Sequence, residues 1–377
     1  DNGHGRIESI AGPASLDVRG DLHNQDGRIV SGTDLRIAAA GLANAGTVYG
    51  QGRLDLAVGD MDNRGMLAAG GDATLKVRQL TGSGFLGAGI QADGSLAARG
   101  DLRITAAGSL GASGQNLAAG VLDFRASRIG LAASETRGAS IALTAGGDID
   151  TRGALLATPG DLVIAAADVD NRQGLLEGGH LDLHATSLAN ARGQINQTGT
   201  GVAGITLGGA LDNRAGLVAG NGGLSLSAAS VDNAAGSIQV AGPASVLVAR
   251  DLQNQQGRLT VGGELRVAVT DLANTGTVYG ATQLDIRAAG SLANAAIVAS
   301  GGNLSIDAGS VLGSGGSLFG AGILADGSLA GRGDLEVRAA GSVKAAGQNI
   351  AAGRLGITAA AIDLGASHSQ GAGISLA

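Results

Sequence analysis

The sequence predicts an all-β fold, a right-handed parallel β-helix with about 20 residues per coil and roughly 19 coils. Three observations predict it. A Leu-x-Asn-x-x-Gly phrase returns about every twenty residues, an apolar-x-apolar triplet accompanies it, and the apolar residues are almost all small aliphatics.

The asparagine phrase sets the period. It reads Leu22/Asn24, Leu42/Asn44 and Met61/Asn63, then Val169/Asn171, Leu188/Asn190 and Leu211/Asn213. It continues as Val231/Asn233, Leu252/Asn254, Leu272/Asn274 and Leu292/Asn294, the last four asparagines being 21, 20 and 20 residues apart. Between Leu80 and Ile149 the Asn drops out of four consecutive units. Stacked at one position in successive coils, these amides are expected to bond to one another and to turn backbone, a structural column. A row of amides binding a ligand on an exposed face is the alternative.

The triplets supply the strands. Leu35-Arg36-Ile37, Leu54-Asp55-Leu56, Leu75-Lys76-Val77, Leu102-Arg103-Ile104 and Leu122-Asp123-Phe124 alternate at period two, as do Leu181-Asp182-Leu183, Leu265-Arg266-Val267, Leu284-Asp285-Ile286 and Leu335-Glu336-Val337. That alternation buries one face and wets the other. The outward residues Arg36, Asp55 and Lys76 are expected to be cross-strand neighbours of alternating sign, like Arg103/Asp123 and Arg266/Asp285. Gly, Asn and Asp-Gly clusters between triplets supply the turns, and no segment carries a helical period. Parallel strands spaced about 4.8 Å apart would give a rod on the order of 90 Å long, with the right hand following from the crossover rule.

Composition agrees with a narrow interior. Of 377 residues 44% are hydrophobic but only 1% aromatic, with 69 glycines and 3 prolines. A thick core recruits aromatics. Collagen is excluded because Leu22-His23-Asn24-Gln25-Asp26 breaks a Gly-x-y period, and disorder because the aliphatics are abundant and regularly placed. A net charge of −7 disfavours nucleic acid and polyanions as partners. No apolar stretch approaches the roughly 18 residues of a membrane span. Asp1-Asn2 falls inside a repeat with no signal peptide before it, the expectation for a piece of something longer. Cysteine is absent, which fits a surface protein without establishing one.

A longer repeat is superimposed. Gly12-Pro13-Ala14-Ser15 recurs as Gly242-Pro243-Ala244-Ser245, and Thr47-Val48-Tyr49-Gly50 as Thr277-Val278-Tyr279-Gly280, both offset by 230. Ala92-Asp93-Gly94-Ser95-Leu96 recurs as Ala325-Asp326-Gly327-Ser328-Leu329 at an offset of 233. Residues 1–377 thus read as one continuous β-helix, with 1–231 a first copy and 232–377 a partial second. Residues 80–110 and 311–343 break the period in both copies and read as an enlarged coil or protruding loop.

Catalytic chemistry finds no footing. His180 and His184 lie four apart on a strand pattern, without the Glu-containing helix of a zinc motif. A polysaccharide-cleaving β-helix needs clustered carboxylates, long loops and sugar-stacking aromatics, and the calcium-binding nonapeptide and regular Thr-x-Thr rows are missing too. No enzyme, metal or cofactor is expected. Arg-Gly-Asp occurs at Arg19-Gly20-Asp21, Arg99-Gly100-Asp101 and Arg332-Gly333-Asp334. On a mobile loop tip that tripeptide can bind a receptor, and the last two border the enlarged coils. Gly-Asp before an apolar residue is also part of the repeat, as in Gly59-Asp60-Met61 and Gly160-Asp161-Leu162.

The unit Asp251-Leu252-Gln253-Asn254-Gln255-Gln256-Gly257-Arg258-Leu259, followed by Gly263-Glu264-Leu265-Arg266-Val267, resembles the haemagglutinin repeat of the filamentous haemagglutinin family. Asp170-Asn171-Arg172-Gln173-Gly174-Leu175-Leu176 and Asp212-Asn213-Arg214-Ala215-Gly216-Leu217 are similar variants. The resemblance implies a secreted or surface-exposed bacterial adhesin shaft, exported through an outer-membrane two-partner secretion transporter and attaching to host-cell receptors or glycans. It equally implies, as the alternative, the filament of a contact-dependent inhibition toxin. Coil-by-coil docking would let such a chain fold as it emerges from the transporter.

Overall fold

A short strand with aliphatics at alternate positions can bury them only if another layer covers that face, and here the covering layers come from the same turn and its neighbours. The computed structural model describes residues 1–97 and 99–377, and all of its regular elements are β-strands joined by turns. The chain divides into two compact units, Asp1–Ala185 and Thr186–Ala377. Together they hold about 18 solenoid turns of about 20 residues. The count falls below the expected 19 because two turns are long: 29 residues separate the matching positions Asp72 and Asp101, and 31 separate Asn303 and Asp334.

In the first unit one turn runs through three strand segments. Leu35–Asn44 carries the triplet Leu35-Arg36-Ile37 and then bends into the asparagine segment, and Thr47–Gly50 follows as a third strand. The next turn repeats this as Leu54–Asn63 and Met66–Ala69. All pairing between them is parallel and in register, Leu35 with Leu54, Leu42 with Met61 and Val48 with Leu67. Each inward side chain is therefore stacked on its counterpart above and below, and Leu35, Ile37, Leu42, Val48, Leu54 and Leu67 are buried. Larger groups are rare: Phe124 fills the triplet position beneath Leu143.

The second unit is built the same way. Glu264–Val269, Gln283–Asn294, Asn303–Gly313 and Leu335–Ala345 stack in parallel, aligning Leu265, Leu284, Leu304 and Leu335. Where the asparagine turn is three residues long, its last position is Gly46, Gly65 or Gly276, and in one turn Ala296. A Cβ on Gly276 would sit 2.0 Å from the carbonyl oxygen of Gly257 in the turn before. Where the turn is Asn-x-x-Gly, the residue before glycine adopts the left-handed region instead, as at Gln173 (φ 62), Ala215 (φ 52), Ala235 (φ 54) and Gln256 (φ 55).

The outward charges depart from expectation at one turn. Arg36 does face Asp55, Arg103 faces Asp123 and Arg266 faces Asp285. Asp55, however, faces Thr74, and Lys76 faces Ala57. The cause is Ala73, which takes the first inward position of that strand and moves Leu75 to the second.

The long turns close differently from the rest. Gly50 and Leu54 are joined by three residues, whereas Ala88 at the end of Phe85–Ala88 reaches Leu102 only after a hairpin. Its bridge pairs Ile90 with Leu96 antiparallel. Residue 98, inside the expected enlarged coil 80–110, lies outside the described residues. In the second unit, within 311–343, Ile323 pairs with Leu329 in the same way.

Candidate functional site

Three constellations stand out from the repeating frame: the asparagine column, the Arg-Gly-Asp tripeptides and the two hairpins. The asparagines come first because the strands aim them inward. Asn24, Asn44, Asn63, Asn171, Asn190, Asn213, Asn233, Asn254, Asn274 and Asn294 are each at most 2% exposed. In the first unit Asn2 Nδ2 donates to Asn24 Oδ1 at 2.7 Å, Asn24 to Asn44 at 2.8 Å, and Asn44 to Asn63 at 2.8 Å. In the second, the chain runs Asn190, Asn213, Asn233, Asn254, Asn274, Asn294 at 2.7–2.8 Å per link. The other amide hydrogen goes to backbone one turn on: Asn233 to Arg258 O, Asn254 to Thr277 O, Asn274 to Ile297 O. Both amide protons and the amide oxygen of such a side chain are bonded, which is what makes its burial tolerable. No external ligand reaches these groups.

Where the column lapses, a polar pair reappears four residues along. Asn116 Nδ2 donates to Ala112 O and to Thr136 Oγ1, and Asn349 Nδ2 to Ala345 O and Ser369 Oγ. Sequence reasoning passed over both. The signal was present in Gly114-Gln115-Asn116 and its duplicate Gly347-Gln348-Asn349, but it sits on the third strand, away from the Leu-x-Asn phrase.

The Arg-Gly-Asp tripeptides occupy two different places. Arg19-Gly20-Asp21 lies exposed at a register shift within Ala14–Asn24, with no atom within 4 Å of where a Gly20 Cβ would stand. Arg99-Gly100-Asp101 and Arg332-Gly333-Asp334 instead lead from the hairpins into the triplet strands. Gly100 and Gly333 are buried, and a Cβ on either would meet the backbone of Gly89 or Gly322 at 2.2–2.3 Å. Asp101 Oδ1 accepts from Val121 N at 2.8 Å, and its Oδ2 takes Arg103 Nη2 at 2.6 Å. Asp334 Oδ1 accepts from Arg354 N at 2.7 Å. Asp34, binding Arg53 N, is the same device without the tripeptide. These carboxylates tie one turn to the next, while Arg99 and Arg332 point outward.

The hairpins fold back over the third strands. Tyr49, on the outer side of Thr47–Gly50, donates its hydroxyl to Ile90 O at 3.1 Å and packs with Ala68 and Ile90. Burial, with the Asp93 carboxylate nearby, pushes its phenol pKa up. Tyr279 stands in the same place below the second hairpin, raised by burial and by Asp326. At each tip Ser95 or Ser328 donates its hydroxyl and backbone N–H to Asp93 or Asp326, holding that carboxyl below its ordinary range.

Ion pairs run mostly between residues i and i+2 of the chain. Arg152 and Asp150 are 2.6 Å apart, Arg214 and Asp212 2.7 Å, and Arg266 and Glu264 2.7 Å. His184 pairs with Asp182 at 3.0 Å. Among the described residues no group of three His, Asp or Glu is placed to hold a metal ion. Nor, among the described residues, is any helix long and apolar enough to cross a membrane.

Against known proteins, the haemagglutinin repeat matches residues 2–51, 47–153, 117–215, 198–263, 260–324 and 319–372. The chain is similar to Toxin CdiA of Yersinia pestis, 39% identical over 184 residues, 45% of this chain and 6% of that protein. It is similar to Deoxyribonuclease CdiA of Dickeya dadantii (strain 3937), 32% identical over 311 residues (78% and 9%), and to Toxin CdiA of Escherichia coli, 30% over 297 (67% and 9%). The chain therefore spans less than a tenth of each of these relatives. No solved structure matches it. With the repeat matched from end to end, and the solenoid turn and asparagine ladder seen in both units, the chain belongs to the haemagglutinin-repeat family, whose filamentous haemagglutinin-like proteins are secreted and exposed at the cell surface.

Proposed function

We propose that this chain is a shaft segment of a long surface exoprotein, and that the shaft holds a toxin domain out toward neighbouring bacteria. The repeating turn carries the first part: its polar interior is used up in bonds between turns, leaving length and stiffness as what it offers. The second part is supported by the relatives' names, which are those of a toxin and a deoxyribonuclease. On this reading the shaft itself performs no catalysis. Export is through an outer-membrane two-partner secretion transporter, and the 230-residue copy is the unit by which the shaft lengthens. Attachment to host cells through receptors or glycans is the second reading, favoured by the haemagglutinin-repeat match and by the outward Arg19, Arg99 and Arg332.

Co-culture separates the two. Cells carrying the full-length protein should inhibit siblings that lack a matching immunity gene, and removing the region beyond the shaft should abolish this while the filament persists. If inhibition is absent and host-cell adherence falls on deleting the shaft, the adhesin reading replaces it.

A further inference from the structure

We propose that residues 109–150 form a compliant segment of the solenoid, one that opens locally ahead of turns whose asparagine column is whole. The assignment goes beyond the shaft reading, in which all turns serve alike, and holds whatever the shaft carries.

The column is what changes. In register from turn to turn, its position passes from Asn63 through Gly82, Ala112, Leu131 and Thr151 to Asn171. Asn63 Nδ2 ends the first run on the Phe85 carbonyl at 3.1 Å, and column side chains next meet at Thr151 Oγ1 and Asn171 Oδ1, 3.0 Å apart. Across the three turns between them the column holds no amide. Ala112 and Leu131 are buried there, so the apolar core is kept while the directional tie between turns is lost.

The substitute on the third strand is one link long. Asn116 Nδ2 donates to Thr136 Oγ1 at 3.0 Å. The register partners beyond this pair are Leu86 on one side and Leu156 on the other, so the link cannot propagate. Asn116 Oδ1 is left buried with no donor, a cost that an unbroken column does not carry. Two shallow clefts, of about 420 and 470 Å³, open along the same corner where Gly82, Ser83, Ser113 and Gly130 leave it thinly covered. The second copy repeats the order as Asn294, Gly313, Ala345 and Leu364, with Asn349 and Ser369 as its single link. The lapse therefore belongs to the long repeat.

Strand length does not explain the difference, because the second unit supplies turns of the same build with the column intact. Ser109–Gly111, Arg128–Gly130 and Ile149–Asp150 are joined by three and then two register pairs. Ala210–Asp212, Ser230–Asp232 and Asp251–Asn254 are joined by the same three and two. In those turns Asn213, Asn233 and Asn254 are bonded in series at 2.7 and 2.8 Å. Local opening is governed by the weakest set of ties between neighbours, and the column is the tie in which the two sets of turns differ.

Hydrogen exchange of the whole chain, followed by mass spectrometry and corrected for intrinsic rates, tests this. Third-strand amides of Gln115–Ala118 and Glu135–Arg137 are compared with those of Leu217–Gly220 and Ser237–Val240, which hold the same place in the matched turns. The first pair of strands should exchange about tenfold faster or more. Exchange of all four strands at one rate, or faster exchange in the second pair, overturns the proposal.

Discussion

Asn254 shows what one residue contributes. It accepts from Asn233, donates to Asn274 and to Thr277 O, and is fully buried. Asn254→Ala would leave the Asn233 amide proton buried without its acceptor and take one donor each from Asn274 Oδ1, which keeps only Gly276 N, and from Thr277 O, at roughly 2–4 kcal/mol, read as a lowered denaturant midpoint. Ala235 argues in the opposite direction: its φ of 54° costs a side-chain-bearing residue about 1 kcal/mol, so Ala235→Gly should raise the midpoint. Asp150 adds a pH term. The Arg152 hydrogen bond lowers its folded pKa, outweighing partial burial. A depressed carboxyl stabilises fully above its unfolded pKa of about 3.9 and loses that contribution as pH falls through the folded value. Asp150→Asn should therefore flatten the fall of the melting temperature below about pH 4, modestly, because the pair is half-exposed. The asparagine column was legible because every member follows an apolar residue by two. Asn2, Asn116 and Asn349 were not, since contact between turns and not local sequence places them on the interior.

Strands were legible from alternation alone, but register was not. Triplets that look equivalent, such as Leu75-Lys76-Val77, can sit two residues out of step when an alanine fills an inward slot. Ion pairing shows the same limit. Neighbouring turns do set Arg36 beside Asp55 and Arg266 beside Asp285, yet the short contacts of Arg103, Arg125, Arg137, Arg266 and Arg338 are to acids two residues earlier in the chain. The interior is thin enough that one large side chain matters. Phe124→Ala should cost about 3–5 kcal/mol, measured by thermal or denaturant unfolding, whereas the outward Asp123→Ala should cost far less. The long turns were visible as broken period in both copies. Their antiparallel hairpin and tyrosine clasp were not, because Tyr49 precedes Ile90 by 41 residues. The Arg-Gly-Asp tripeptides are alike in sequence and differ in place, one at a strand bend and two clamped by glycines against a hairpin.

At the scale of the molecule, stability is a sum over neighbouring turns. Deleting one complete turn, residues 264–282, sets Leu284 and Ile286 where their register partners Leu265 and Val267 stood, on Ala244 and Val246. The shortened chain should fold with a circular dichroism spectrum of unchanged shape and a slightly lower melting temperature. Deleting half a turn should abolish folding, since every inward residue beyond the cut would lose its partner. The most direct measurement of the stacking uses the chain's lack of cysteine. Ala273 and Ala293 are register partners on adjacent turns, and Leu312 is the partner of Ala293 one turn further. Adjacent parallel strands lie about 4.8 Å apart, within disulfide reach, and alternate ones about 9.6 Å, beyond it. Under mild oxidation A273C/A293C should cross-link within the chain and A273C/L312C should not; cross-linking of the second pair, or failure of the first in folded protein, would contradict the solenoid.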